Sequence, residues 1–182
     1  MIDARDYSMP EKLKNGLAVT IRAVRPDDKG RFEEAFRNLE TESVYTRFFR
    51  HKSELTDAEL RTATEVDFEK SVALVVTLAS ADGEETIIGG GRYVQYDPPN
   101  ASRSAEIAFT VEEDYQGQGI AGMVLRHLIR IAREKGVSRF EAEVLPRNKA
   151  MLTVLARSGL PLKQSLEDGV LHATLSLKAD AP

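Results

Sequence analysis

SAEIAFTVEEDYQGQGIA, residues 104–121, decides how the rest of this chain is read. In its first half Ile107, Phe109 and Val111 alternate with Glu106, Ala108 and Thr110, the two-residue period of a strand. Its second half is a glycine-bearing turn that opens a long helix. Gly117 and Gly119 carry no Cβ to hold a ligand off the backbone. The first N–H groups of a helix have no partner inside it and lie at the positive end of its dipole. A strand, a bare turn and a helix start in succession make an anion site. Glu106, upstream on the same strand, is placed to act on whatever the anion carries.

Downstream, Ile120, Met123, Val124, Leu128 and Ile131 share the inward face of that helix, with Arg126, Arg130 and Arg133 outward. Gly136 ends it. Phe140, Ala142 and Val144 alternate in a further strand. Strand, helix and strand at this spacing predict a parallel crossover. Asn148 starts another helix, with Met151, Val154 and Leu155 inward and Gly159 at its close. Asp168-Gly169 is a turn before a last strand marked by Leu171, Ala173, Leu175 and Leu177.

Upstream, SVALVVTLA from Ser71 is apolar on both faces and reads as a central strand. Asp82-Gly83 turns it into a partner running from Ile87 to Tyr96, and Pro98-Pro99-Asn100 turns again toward Glu106. Gly89-Gly90-Gly91 lies inside the partner strand with no helix after it. It therefore fits a bulge or a close approach by substrate, not a phosphate loop. Residues 1–10 are polar and read as loose. Asn15-Gly16 joins a short strand around Lys12 to a second, Ala18 to Val24. Arg25-Pro26-Asp27-Asp28 stops that strand and caps a helix with Phe32, Ala35, Phe36 and Leu39 inward. Val44, Tyr45, Phe48 and Phe49, with Arg47 and Arg50 beside them, predict a second helix. Thr56 and Glu59 form a capping-box pair, and Leu55 and Leu60 a staple, for a third from Asp57. The sum is a mixed α/β (α+β) chain, a central mixed sheet with helices on both faces.

The 182 residues hold 25 Lys and Arg against 29 Asp and Glu, a net charge of −4, so nothing draws the chain to nucleic acid or an anionic membrane. The absence of cysteine excludes disulfides, thiolate metal sites and a cysteine nucleophile. His51, His127 and His172 show no ligand spacing, so no metal is expected. The N-terminal residues lack the apolar run of a signal peptide and no stretch is long enough to span a bilayer, which makes the cytoplasm the expected location.

From about Leu17 onward the chain resembles the GNAT superfamily of acetyltransferases. Gln116-Gly117-Gln118-Gly119-Ile120-Ala121 matches that family's acyl-CoA pyrophosphate motif, Gln/Arg-x-x-Gly-x-Gly/Ala, and NKAMLTVLARSGL matches its following helix. The order RPDD, SVYTRFF, TEVD, AEIAFTV, YQGQGIA and VLPRNKAML is similar to the catalytic domain of bacterial protein lysine acetyltransferases. The resemblance implies a GNAT-type fold, a mostly antiparallel sheet with one splayed parallel strand pair. It implies one such domain over residues 17–182, after an N-terminal extension, residues 1–16, that holds the short strand.

It also implies a set of roles. Acetyl-CoA is the co-substrate and a protein lysine the acceptor. Gln116, Gly117, Gln118, Gly119, Ile120, Ala121 and Gly122 cradle the pyrophosphate. Backbone N–H groups of Phe109, Thr110 and Val111 bind the pantetheine arm and the thioester oxygen. Asn148, with Met151 on the same helix, reaches the pantetheine or pyrophosphate region, although asparagine is also a common helix cap. Glu106 is the general base, with Ala105, Ile107, Ala108 and Phe109 as apolar neighbours. The alternative for Glu106 is a solvent-facing strand glutamate paired with Arg103 or Arg92. Where many relatives carry an acidic tyrosine this chain has Leu155, and Tyr115 and Tyr93 are better explained by packing. A base is useful because a lysine ammonium has a pKa near 10.4, so presenting the neutral amine at pH 7 costs about 4 kcal/mol. Transfer to a small amine, or a non-catalytic acyl-CoA sensor, fits the same motif.

Overall fold

The computed structural model describes residues 2–39, 54–96 and 103–178. The helix expected at Val44 to Phe49, His51 and the Pro98-Pro99-Asn100 turn lie outside the described residues. Eight strands form one sheet: β1 (Ser8–Lys12), β2 (Ala18–Ala23), β3 (Ser71–Ala79), β4 (Glu85–Tyr96), β5 (Ser104–Val111), β6 (Arg139–Val144), β7 (Leu162–Glu167) and β8 (Val170–Ser176). Their spatial order is β1-β2-β3-β4-β5-β6-β8-β7. Every neighbouring pair is antiparallel except β5 and β6. The described helices are α1 (Lys29–Arg37), α2 (Asp57–Thr64), α3 (Ile120–Glu134) and α4 (Lys149–Ala156).

The period of two in β4 and β5 assigns the faces. A Cβ on Gly89 or Gly91 would meet Ile120 or Val124, so odd positions of β4 face α3. Arg92, an even position, donates to the Thr62 carbonyl at 3.0 Å and faces α2. Helix α3 buries Ile120, Met123, Val124, Leu128 and Ile131, as its spacing predicts, and α4 packs beside it. On the other face α1 and α2 wall a cavity of about 350 Å³ with Phe32, Phe36, Thr62, Gly90, Arg92 and Thr110 on its lining. The apolar stripe of α1 thus borders an open space over the sheet. Thr56 caps α2, accepting from the Glu59 N–H at 3.2 Å.

The three glycines of β4 are packing residues at a register shift opposite Val76 and Thr77. A Cβ on Gly90 would lie 2.6 Å from the Leu74 carbonyl oxygen, and one on Gly91 2.6 Å from Phe109 Cδ1 and 2.8 Å from Val124 Cγ1. Gly91→Ala should cost about 1–3 kcal/mol by overpacking. It should also disturb Phe109, on the strand beside the candidate site. Chemical denaturation measures the loss, and an unchanged midpoint would contradict it.

Two expectations are corrected. Residues 2–10 are not loose: Ala4–Asp6 form a 3₁₀ turn, β1 pairs with β2, and Ala4 and Tyr7 are buried. The turn is capped by Asp3, whose side chain accepts from the Arg5 N–H at 3.0 Å. Second, β7 has no counterpart in the sequence reading. LKQSLE is an exposed edge strand with no apolar alternation, and it is recruited by the Asp168-Gly169 turn, where both residues have positive φ.

Candidate active site

Chain direction builds the site. Strands β5 and β6 run parallel, so their C-terminal ends open at the same edge of the sheet, where open α/β sheets place ligands. Helix α3 starts just beyond β5, and α4 just beyond β6. The ladder between the strands has only three rungs, Ser104–Arg139, Ala105–Phe140 and Glu106–Glu141. β5 continues to Val111, paired only to β4, while β6 continues to Val144, paired to β8. The strands therefore part beyond Glu106. The splay expected at Phe109 to Val111 is present as a wedge whose β5 edge is freed from β6.

At the mouth of the wedge lies the glycine turn. Gly117 and Gly119 have φ of +78° and +86°, the left-handed region that favours glycine. A Cβ at Gly117 or Gly122 would have nothing within 4 Å, so this side of the loop is open space. Gly119 is the N-cap of α3 and supplies no capping side chain. The N–H groups of Ile120, Ala121 and Gly122 thus lack both intrahelical and side-chain partners of the usual kind. The Ile120 side chain is buried in the core, so only its backbone faces outward. Gln116 is exposed and its Nε2 donates to the Val111 carbonyl at 3.2 Å, holding the turn against the end of β5. These features fit a diphosphate.

Glu106 occupies the last rung before the splay and is exposed. It lies across from Val94 of β4 on one side and Glu141 of β6 on the other. The expectation of an apolar surround is corrected: Ala105, Ile107 and Phe109 are odd positions and turn to the α3 face, leaving Ala108 on Glu106's own face. Nor is Glu106 tied up by the cations proposed for it. Arg92 bonds Thr62, and Arg103 Nη1 donates to the Lys135 carbonyl at 2.9 Å. Phe109 is half-buried against Gly91, while Thr110 lines the cavity on the acceptor side.

Asn148 caps α4, its Oδ1 accepting from the Met151 N–H at 3.2 Å. It stands at the second helix start facing the wedge, with Met151 half-buried beside the core. Leu155 is buried and offers no proton. Tyr93 is fully buried with its ring 5.4 Å from that of Phe140, and burial pushes its hydroxyl pKa well up, so it is a core residue. Tyr115 packs against the core. Among the described residues no group of three or more His, Cys, Asp or Glu is arranged to hold a metal, and no helix is long and apolar enough to cross a membrane.

Sequence reasoning missed one neighbour of this site. The β1–β2 turn docks on the glycine loop: the Lys14 N–H donates to the Gln118 carbonyl at 3.2 Å and the Asn15 N–H to Gln118 Oε1 at 3.1 Å. Asn15-Gly16 marks a turn but says nothing of where it lands.

Comparison with known proteins shows the family of this chain. The family model described as an acetyltransferase (GNAT) domain matches residues 18–161. Acetyltransferase PA5475 of Pseudomonas aeruginosa is 29% identical over 164 residues, covering 89% of this chain and 86% of that protein. Acetyltransferase Pat of Mycolicibacterium smegmatis is 34% identical over 151 residues, 83% of this chain. This chain spans 44% of the length of Pat. The crystal structure of the GNAT domain of S. lividans PAT superposes with a TM-score of 0.83 at 32% identity, covering 93% of this chain and 96% of that one.

Proposed function

Because this chain belongs to the GNAT acetyltransferase family, we propose that it transfers an acetyl group from acetyl-CoA to the side-chain amine of a lysine in a protein. The observation that carries this reading is the end of the β5–β6 ladder at Glu106. One rung joins an exposed carboxylate to the point where backbone edges open. Acetyl-CoA supplies an activated thioester carbonyl. The protein's part is to hold its diphosphate at the N–H groups of residues 117–122, accept its arm along the freed edge of β5, and place the amine beside Glu106. The carboxylate takes the ammonium proton, and the backbone N–H groups of Phe109 and Val111, on the edge turned away from β4, stabilise charge that develops on the carbonyl oxygen. Leu155, at the position where many relatives carry a tyrosine, is buried and offers no proton to the departing thiolate.

The surroundings of Glu106 suit a lysine. Val94 and Tyr96, each 38% exposed, lie on its face of β4, where the aliphatic stem can pack. Glu141, across from Glu106 in the adjacent strand, is itself paired with Arg139 at 3.3 Å, which leaves Glu106 as the carboxylate for the amine. A second reading, transfer to a small amine, is favoured by the cavity of about 350 Å³ on the same face, within the size range of small-molecule sites. Incubating the protein with labelled acetyl-CoA and either lysine-bearing proteins or a panel of small amines separates the two. Label on specific lysines is the expected result. Label confined to small molecules would transfer the assignment to the cavity.

A further inference from the structure

We propose that Lys14, on the turn between β1 and β2, completes the cofactor site by pairing its ammonium with the diphosphate. The inference rests on the cofactor reading above and adds a residue from outside the glycine motif. The Lys14 stem lies across the N-cap of α3: its Cε, Cδ and Cγ stand 3.3, 3.9 and 3.8 Å from where a Cβ on Gly119 would be. Nζ is one bond beyond Cε. The side chain thus ends beside the start of α3, where a Cβ at Gly117 or Gly122 would meet nothing within 4 Å.

Its backbone is held there. Besides the two bonds from Lys14 and Asn15 to Gln118, the hairpin is keyed to α3 itself. His127, 8% exposed, donates from Nε2 to Glu11 Oε1 at 2.7 Å, and its Nδ1 shares a hydrogen bond with the Tyr7 hydroxyl. One hairpin therefore grips the glycine loop at Gln118, just ahead of α3, and α3 itself at His127. Among the described residues Lys14 forms no ion pair. A cation fixed against the positive end of a helix raises the energy of both unless an anion joins them. A diphosphate bound by the loop supplies that anion, and its charge-assisted bonds to an ammonium are the strong kind.

Calorimetric titration of the full chain with CoA and with 3′-dephospho-CoA tests this, using wild type, Lys14→Met and Lys14→Arg. Methionine keeps an apolar stem over Gly119 and removes the charge. Lys14→Met should weaken both ligands by about tenfold. Lys14→Arg should recover most of the loss, and the gap should narrow at high salt. Equal affinity of Lys14→Met and wild type overturns the proposal, as does tighter binding, which would make the side chain a plug. A loss seen with CoA alone also overturns it, by moving the cation to the ribose phosphate. Failure of wild type to bind either ligand overturns the cofactor reading, and the Lys14 assignment with it.

Discussion

Glu106→Gln should lower turnover by about 10²–10⁴-fold while acetyl-CoA affinity stays close to that of wild type. The substitution keeps size and shape and removes the ability to take a proton from an ammonium. Glu106 is exposed, and among the described residues it forms no ion pair, so the fold does not depend on its charge. On the proposed reading, the diphosphate is held by backbone N–H groups further along the chain, which glutamine leaves alone. Steady-state kinetics with acetyl-CoA and a lysine acceptor, together with a direct binding measurement, checks both halves. Retained turnover would place the base elsewhere. A wild type that binds acetyl-CoA without turnover on any amine would favour the sensor reading.

The second large effect concerns stability. Asp28→Ala should cost about 3–5 kcal/mol, a large share of a domain's total. Asp28 is fully buried and Arg22 is 5% exposed. Arg22 Nη1 and Nη2 donate to the two Asp28 oxygens at 2.9 and 2.8 Å, and Nη2 also to Glu85 Oε2 at 3.0 Å. The Arg25 N–H donates to Asp28 at 2.8 Å, and Arg31 Nη1 at 3.1 Å. The Asp28 carboxylate thereby ties β2 to the start of α1, and Arg22 extends the cluster to Glu85 at the start of β4. Removing it leaves a buried guanidinium with only the half-exposed Glu85 as a carboxylate partner. Chemical denaturation measures the loss. Arg22→Met with Asp28→Leu should be less damaging than Asp28→Ala alone, because no charge is left stranded.

The same cluster predicts an acid limb. Burial opposes ionisation of Asp28, but hydrogen bonds from Arg22 and the Arg25 N–H outweigh it and hold its carboxyl below the usual range. The Arg22 guanidinium lowers Glu85 likewise, against a smaller effect of burial. Both folded pKa values lie below the unfolded ones. Their contribution is therefore complete above the ordinary carboxylate pKa, about 4, and is lost as pH falls through the depressed folded values. Below about pH 4 the stability of Asp28→Ala should fall less steeply than that of wild type.

Arg25-Pro26-Asp27-Asp28 shows how far local reading carries. Proline and two acids announce a helix start, and a 3₁₀ turn at Pro26–Asp28 does lead into α1. That Asp28 turns its carboxylate to Arg22, which also donates to Glu85, depends on residues from two strands. Arg22 amid an apolar run, AVTIRAV, was the visible hint of a buried charge, but its partners are not encoded in spacing. LKQSLE was invisible for the opposite reason: an edge strand with exposed side chains has no periodic burial to display.

The chain by itself determined its strands and helices wherever burial imposes a period of two or 3.6. It also determined the glycine turn after β5 and the parallel return through α3, because these are consequences of neighbours along the backbone. Only the tertiary structure decided that β5 and β6 part after Glu106, that Lys14 comes to rest on Gly119, and that Arg22 closes on Asp28 and Glu85. Those contacts join residues whose separation along the chain carries no signal. They are selected by how a twisted sheet, its covering helices and one hairpin fill space together.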